Sequence, residues 1–212
     1  MKYLKTVLFL NSLLLSLTIE ANDQSDAIMT REDIFIQVNK NKNVSVKVKF
    51  LFSGTISDSI FFPETEFFPL KSFKIAWNEK KINSKIISAT NSKFLLVNKE
   101  FYPKLFESKI PKNSKLHHNL EINYQYYAPY WRKGSKINFN NGHYYEYILT
   151  TGATWKDKIG IINILIKFDF LQCSDVIFLD DSFLLDCENN SLSGSFKNIE
   201  PDHNIRFLVK DI

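Results

Sequence analysis

The chain has 212 residues, a formal net charge of +4, 44% hydrophobic and 15% aromatic side chains, and only six glycines and six prolines. This is enough chain for one domain with a full core, and the composition excludes a fibrous or disordered protein. A charge excess this mild, spread over lysines along the whole length, reads as solubility rather than a nucleic-acid-binding stripe, so no nucleic-acid partner is expected.

Residues 1–21 have the makeup of a cleaved secretory signal helix. Lys2 and Lys5 precede the apolar run Val7, Leu8, Phe9, Leu10, which resumes at Leu13 and closes at Ala21. Asn11 and Ser12 interrupt that run, which is too short to cross a bilayer core of ~30 Å. The expected cleavage after Ala21 leaves residues 22–212 as a single exported domain, periplasmic or extracellular. No cysteine stands at the cleavage point to take a lipid, and no later stretch is apolar enough for a stable membrane span.

In the mature part the period of two that marks strands begins early. Ile34, Ile36 and Val38 share one face. After the polar run 39–42, Val44, Val46, Val48, Phe50 and Phe52 share another, opposite Ser45, Lys47 and Lys49. These two runs predict a hairpin with one wet face. Phe61-Phe62-Pro63 and Phe67-Phe68-Pro69 read as apolar anchors stopped by proline. Phe73, Ile75 and Trp77, a turn at 78–81, and the run 82–88 predict a second hairpin, and 94–97 a further short strand. Between 99 and 109 the spacing of Phe101, Leu105 and Phe106 is closer to helical, and Pro103 limits any helix there to a turn or two. Residues 119–127 alternate strictly, with Leu120, Ile122, Tyr124 and Tyr126 on one face and Pro129 beyond the end.

The densest strand signal lies from Tyr144 to Phe170. Tyr145, Tyr147 and Leu149 alternate on one run and Ile162, Ile164, Ile166 and Phe168 on the next, with Gly152 and Trp155 as structural anchors in the connection between them. Runs 176–179 and 182–187 look like a hairpin turned at Asp180 and Asp181, and 193–197 and 205–209 supply the last strands. Short strands at intervals near ten residues, with almost no helix, predict an all-β antiparallel sandwich, immunoglobulin-like or related. Cys173 and Cys187 close a loop of about 15 residues, for which chain entropy gives ~3 kcal/mol. In an exported chain a disulfide between them is expected. Two separately buried thiols are the alternative, and a metal held by this pair alone is the weaker third reading, since neither has a ligand at suitable spacing.

Several segments together resemble one known family. They are the mature start Asn22-Asp23, Glu32-Asp33-Ile34-Phe35-Ile36, Val44-Ser45-Val46-Lys47-Val48-Lys49-Phe50, Phe61-Phe62-Pro63, Tyr147-Ile148-Leu149-Thr150-Thr151-Gly152-Ala153-Thr154-Trp155-Lys156, and Phe196-Lys197-Asn198-Ile199-Glu200-Pro201-Asp202-His203-Asn204-Ile205. The family is an exported bacterial one, domain-of-unknown-function family 4424. The Leu-Thr-Thr-Gly-Ala-x-Trp-Lys block is its most specific feature. This chain lacks the family's glycine-rich stretch after the mature start and carries Asp157-Lys158 where Gly-Pro is favoured. The resemblance implies an exported β-rich protein and brings no catalytic residue.

No hydrolase elbow, phosphate loop, metalloprotease helix or dinucleotide fingerprint is present. His117 and His118 are adjacent and read as solvated loop residues, and His143 and His203 as ordinary hydrogen-bonding partners. A metal site assembled from distant histidines stays open as an alternative, but no metal or cofactor is expected. Asp180 and Asp181 read as turn residues rather than a catalytic carboxylate pair. The candidate binding face is aromatic: Tyr124, Tyr127, Tyr130, Trp131 and Tyr144, rigid rings with a polar tip. The competing reading is that cross-strand tyrosines only stabilise a sheet. Two functions follow. The first is a non-enzymatic binding or structural module of the cell envelope, holding an envelope protein or a glycan; the second is an envelope hydrolase with a dispersed site.

Overall fold

The computed structural model describes residues 26–56, 58–64, 69–89, 103–112, 116–132, 141–149, 157–169, 175–178, 186–188 and 190–210. Among them, strands follow in chain order as β1 (Ile28–Val38), β2 (Asn43–Ser53), β3 (Ser59–Glu64), β4 (Ser72–Trp77), β5 (Lys80–Ile82), β6 (Ser84–Ser88), β7 (Lys104–Lys109), β8 (His117–Tyr127), β9 (Tyr130–Arg132), β10 (Asn141–Tyr147), β11 (Ile159–Phe168), β12 (Val176–Phe178), β13 (Asp186–Glu188), β14 (Ser191–Ile199) and β15 (Ile205–Lys210). They form an all-β sandwich. An eight-stranded sheet in the order β13-β14-β11-β1-β2-β8-β4-β5 is covered on one side by a four-stranded sheet, β12-β15-β10-β9, and a three-stranded one, β3-β7-β6.

The expected first hairpin forms as the alternation requires, with Val38 opposite Val44 and Ile34 opposite Val48. Lys42 turns the chain at φ 65. Asn78 and Glu79 both take positive φ in the two-residue link between β4 and β5, the geometry whose twist suits a tight hairpin. Among the described strands pairing is antiparallel except between β1 and β11, which run parallel with Ile34 beside Ile164. Gly160 lies in that seam, where a Cβ would stand 2.6 Å from the Thr30 carbonyl oxygen, so glycine alone lets the strands approach.

One face of the large sheet makes the core. Ile36, Val46, Ile122, Ile162 and Ile166 are all nearly inaccessible. The four-stranded sheet meets them through Phe207, stacked on Tyr145 at 5.0 Å and edge-on to Phe168 at 6.1 Å. The three-stranded sheet adds Phe62, 5.2 Å from the Tyr124 ring, and Phe106, stacked on Phe73 at 4.2 Å.

Four expectations are corrected. Residues 104–109 are strand, not helix: β7 is the middle of its sheet and buries Leu105, Phe106 and Ser108, so neighbouring apolar residues face opposite sides and mimic helical spacing. The run 82–88 changes sheets at Asn83, giving β5 to one and β6 to the other. The described ends of the hairpin expected at 176–187, residues 176–178 and 186–188, do not pair with each other. Instead β12 pairs with β15, where Phe178 approaches Phe207 at 5.9 Å, and β13 pairs with β14 in the large sheet. The polar connection after Pro129 begins with strand β9, paired to β10. The signal segment 1–21, Gly152, Trp155, Cys173, Asp180, Asp181 and the strand expected at 94–97 lie outside the described residues.

Candidate functional site

Two clusters of polar side chains stand out, one sealed between the sheets and one displayed. The sealed one centres on Glu32, a carboxyl on the same parity of β1 as Ile34, Ile36 and Val38 and only 2% exposed. Tyr147, reaching across from β10, donates its hydroxyl hydrogen to Glu32 Oε1 at 2.7 Å, while Oε2 is buried without a hydrogen bond. Burial pushes this carboxyl up from its ordinary 4.5 to about 7; the Tyr147 hydrogen bond pulls it back in part and the Asp33 charge adds to the rise. The same burial holds the hydroxyls of Tyr124, Tyr126 and Tyr147 far above their usual range. Tyr126 donates across the gap to the Glu146 carbonyl at 3.3 Å. The cluster bolts β1 and β8 of the large sheet to β10. Shut off from solvent, it has no route by which a substrate could reach it.

The displayed cluster sits at the corner where β8 gives way to β9. Tyr127 and Tyr130 are 48% and 46% exposed. The Lys71 ammonium lies 4.9 Å above the Tyr127 ring and donates to Asn43 Oδ1 at 2.8 Å. His143 is buried and meets Tyr130 edge-on at 5.3 Å, with its Nδ1 at 3.1 Å from the Ala128 carbonyl oxygen. The Ala128 amide donates to the Lys42 carbonyl at 3.1 Å, and the Tyr144 amide to the Pro129 carbonyl at 3.0 Å. Rigid backbone bonds thus hold two rings on the surface, the arrangement that makes aromatic contacts cheap in entropy.

Of the predicted aromatic face, the structure displays Tyr127 and Tyr130, leaves Tyr144 half-buried, and places the Trp131 backbone in β9. Tyr124 is a correction: it is 6% exposed, enclosed by Phe62 and its β8 neighbours, and belongs to the core. His118 is another. It is not a solvated loop residue but the buried start of β8, stacked on Trp77 at 4.9 Å, with His117 exposed beside it. His203 pairs with Asp202 at 2.6 Å on the surface. Glu32 went unnoticed, although its parity with Ile34 already put it inside. Cys187 lies exposed on β13, and the described residues include no free cysteine.

A shallow cleft of about 540 Å³ opens where β11 starts and β14 ends, lined by Asp157, Lys158, Asn198 and Glu200. All four are exposed, so no burial tunes them for proton transfer. Among the described residues no three His, Cys, Asp or Glu side chains group to hold a metal, and no helix is long and apolar enough to cross a membrane.

Neither a family model nor a curated protein matches the sequence. Solved structures do share its fold. A Legionella pneumophila protein described as a candidate nutrient-binding protein superposes with a TM-score of 0.59 at 13% identity over 86% of this chain, which spans 66% of that one. Yeast LTA4 hydrolase in complex with bestatin superposes with a TM-score of 0.51 at 11% identity over 89% of this chain, which spans 30% of the enzyme. Identities this low carry the fold alone, and the fold occurs both in a protein described as binding and within an enzyme.

Proposed function

We propose that this chain is an exported, non-enzymatic binding module of the bacterial cell envelope that holds a protein or glycan through the Tyr127 and Tyr130 corner. The observation that carries this reading is the pair of exposed rings on a backbone-braced corner, since aromatic anchors of this kind dominate interface energy. The hydrolase alternative needs converging ionisable groups in a sheltered cleft, whereas the Glu32 cluster is sealed in and the four residues lining the cleft by β11 and β14 are exposed. Export rests on residues 1–21, and the resemblance to family 4424 points the same way. The reading includes a disulfide between Cys173 and Cys187, to be checked by the mass difference on reduction; two freely alkylated thiols in the exported protein would refute it.

The test is recovery of partners from envelope extract by the processed protein and by its Tyr127→Ala/Tyr130→Ala variant. The variant should melt close to the parent, because exposed substitutions shift stability by no more than ~0.5 kcal/mol each. It should lose the recovered partner, each ring contributing ~2 kcal/mol or more. An unchanged recovery rules this corner out.

A further inference from the structure

Lysines that look evenly scattered along the sequence are gathered by the fold. We propose that the open face of the eight-stranded sheet, from the β1–β2 turn to β4, is a recognition surface for a linear anionic polysaccharide of uronate type. This deepens the binding reading above and rests on it, because Tyr127 stands at the end of the same face.

Lys40 and Lys42 lie in the turn, Lys47 and Lys49 point outward from β2, and Lys71 and Lys74 sit at the start of β4. Lys47 and Lys49 are two residues apart on one strand, about 6.8 Å. Lys47 and Lys74 lie in one row on either side of Asn123, about 9.6 Å apart across two strand spacings. The carboxylates of β1 and β8 on this face are already engaged. Arg31 Nε donates to both oxygens of Asp33 at 2.8 and 2.9 Å, and Asn163 to one of them at 2.7 Å. Glu121 accepts from Asn123 at 3.0 Å and lies 3.3 Å from Lys47. The asparagine hydrogen bond, with the Lys47 contact behind it, holds Glu121 below its usual value, so it stays ionised. On the three-stranded sheet, by contrast, two lysines sit beside carboxylates: Lys85 meets Glu107 at 2.8 Å and Lys104 meets Glu64 at 3.8 Å.

Three features select the polymer. Charges on lysine are compact points, and the arginine of this face, whose fork would suit phosphate, is tied to Asp33. Between the lysines stand Asn43, Ser45, Asn123 and Gln125, the last donating to Ser45 Oγ at 3.2 Å, so the face can both give and accept hydrogen bonds as sugar hydroxyls require. Tyr127 offers one flat ring, enough for a sugar face but not a stacking platform for successive bases. At the far edge Asp186 and Glu188 on β13 stand exposed and would repel a polyanion, fixing which side of the sheet it occupies.

The experiment is affinity electrophoresis of the processed protein through gels holding polygalacturonate, with neutral dextran as the blank. The parent should be retarded by polygalacturonate alone. Lys49→Gln/Lys71→Gln/Lys74→Gln should weaken binding at least about tenfold, as should Tyr127→Ala. A control with the same charge change on the three-stranded sheet, Lys85→Gln/Lys104→Gln/Lys109→Gln, should bind like the parent, and Lys→Arg at 49, 71 and 74 should restore binding, which a folding defect would not allow. Equal loss in the control, absence of retardation, or tighter binding to a single-stranded oligonucleotide or to phosphatidylglycerol vesicles overturns the inference. If the tyrosine corner still governs recovery of an envelope partner in that case, only the polymer is wrong; if it governs nothing, the binding reading itself fails.

Discussion

On the inner face of the eight-stranded sheet Ile34, Val48, Ile122 and Ile164 surround a buried carboxyl, Glu32, which burial pushes up to about 7. On the outer face of the same four strands Asn163 donates to Asp33 and Lys47 pairs with Glu121, contacts that water can replace. The backbone is common to both, so the difference is solvent alone. Inside, every polar atom must find a partner or costs ~1–3 kcal/mol; outside, charged pairs contribute ~0–1 kcal/mol and are free to be spent on recognition.

The largest break in this contrast should come from truncating the inner face. Phe207→Ala removes a ring that touches Tyr145, Phe168 and Phe178 and should cost ~3–5 kcal/mol in urea unfolding. A cost below about 1 kcal/mol would mean that the four-stranded sheet is not packed as described.

Next comes pH. Glu32 has a folded value of about 7 against 4.5 ordinarily, so the fold favours the protonated acid. Below pH 4.5 both states are protonated and nothing is lost. Between 4.5 and 7 the unfolded chain ionises first, and stability falls as pH rises, by about 3 kcal/mol in all, before levelling off. The difference in unfolding free energy between the parent and Glu32→Gln, followed across that window, should show this slope. Tyr147→Phe removes the donor that favours the ionised form and should move the window upward. A flat difference would place Glu32 in contact with water.

A smaller effect is expected at the parallel seam. Gly160→Ala presses a methyl group onto the Thr30 carbonyl and should cost about 1–3 kcal/mol through displaced backbone. Smallest of all, Lys47→Ala on the outer face should shift stability by no more than about 0.5 kcal/mol, since it removes a half-exposed ion pair. A loss approaching that of Phe207→Ala would erase the distinction between the faces.

Strands whose two sides differ in solvent were legible from sequence. β1, β2, β8 and β11 alternate because one side is wet; the boundaries of β2, β8 and β11 fall within a few residues of the runs read from the chain, while β1 starts well before its run, at Ile28. β7 was not legible, because burial on both sides erases the alternation. Partners were not legible either. Nothing local in Val176–Phe178 says that Phe178 will pack near Phe207, and nothing in Asp186–Glu188 says that it will border β14. At the candidate site, the exposure of Tyr127 followed from its odd parity to Tyr124 and Tyr126, while grouping Tyr124 with it ignored the same rule. The gathering of lysines was hidden because β2 and β4 become near neighbours only through β8.

The seam between β1 and β11 also constrains how the chain is built. Asp33 and Asn163 are 130 residues apart yet hydrogen-bonded. A chain emerging amino end first can close the β1–β2 hairpin at once, but the other edge of β1 must wait until most of the sequence has appeared. Loop closure over such a span is slow, and folding rates fall as contacts become less local. In the interval the edge of β1, with Ile34, Ile36 and Val38 on one side, is an unpaired template for another chain. A folding helper that shields this edge would therefore raise the yield of native protein without altering its final stability.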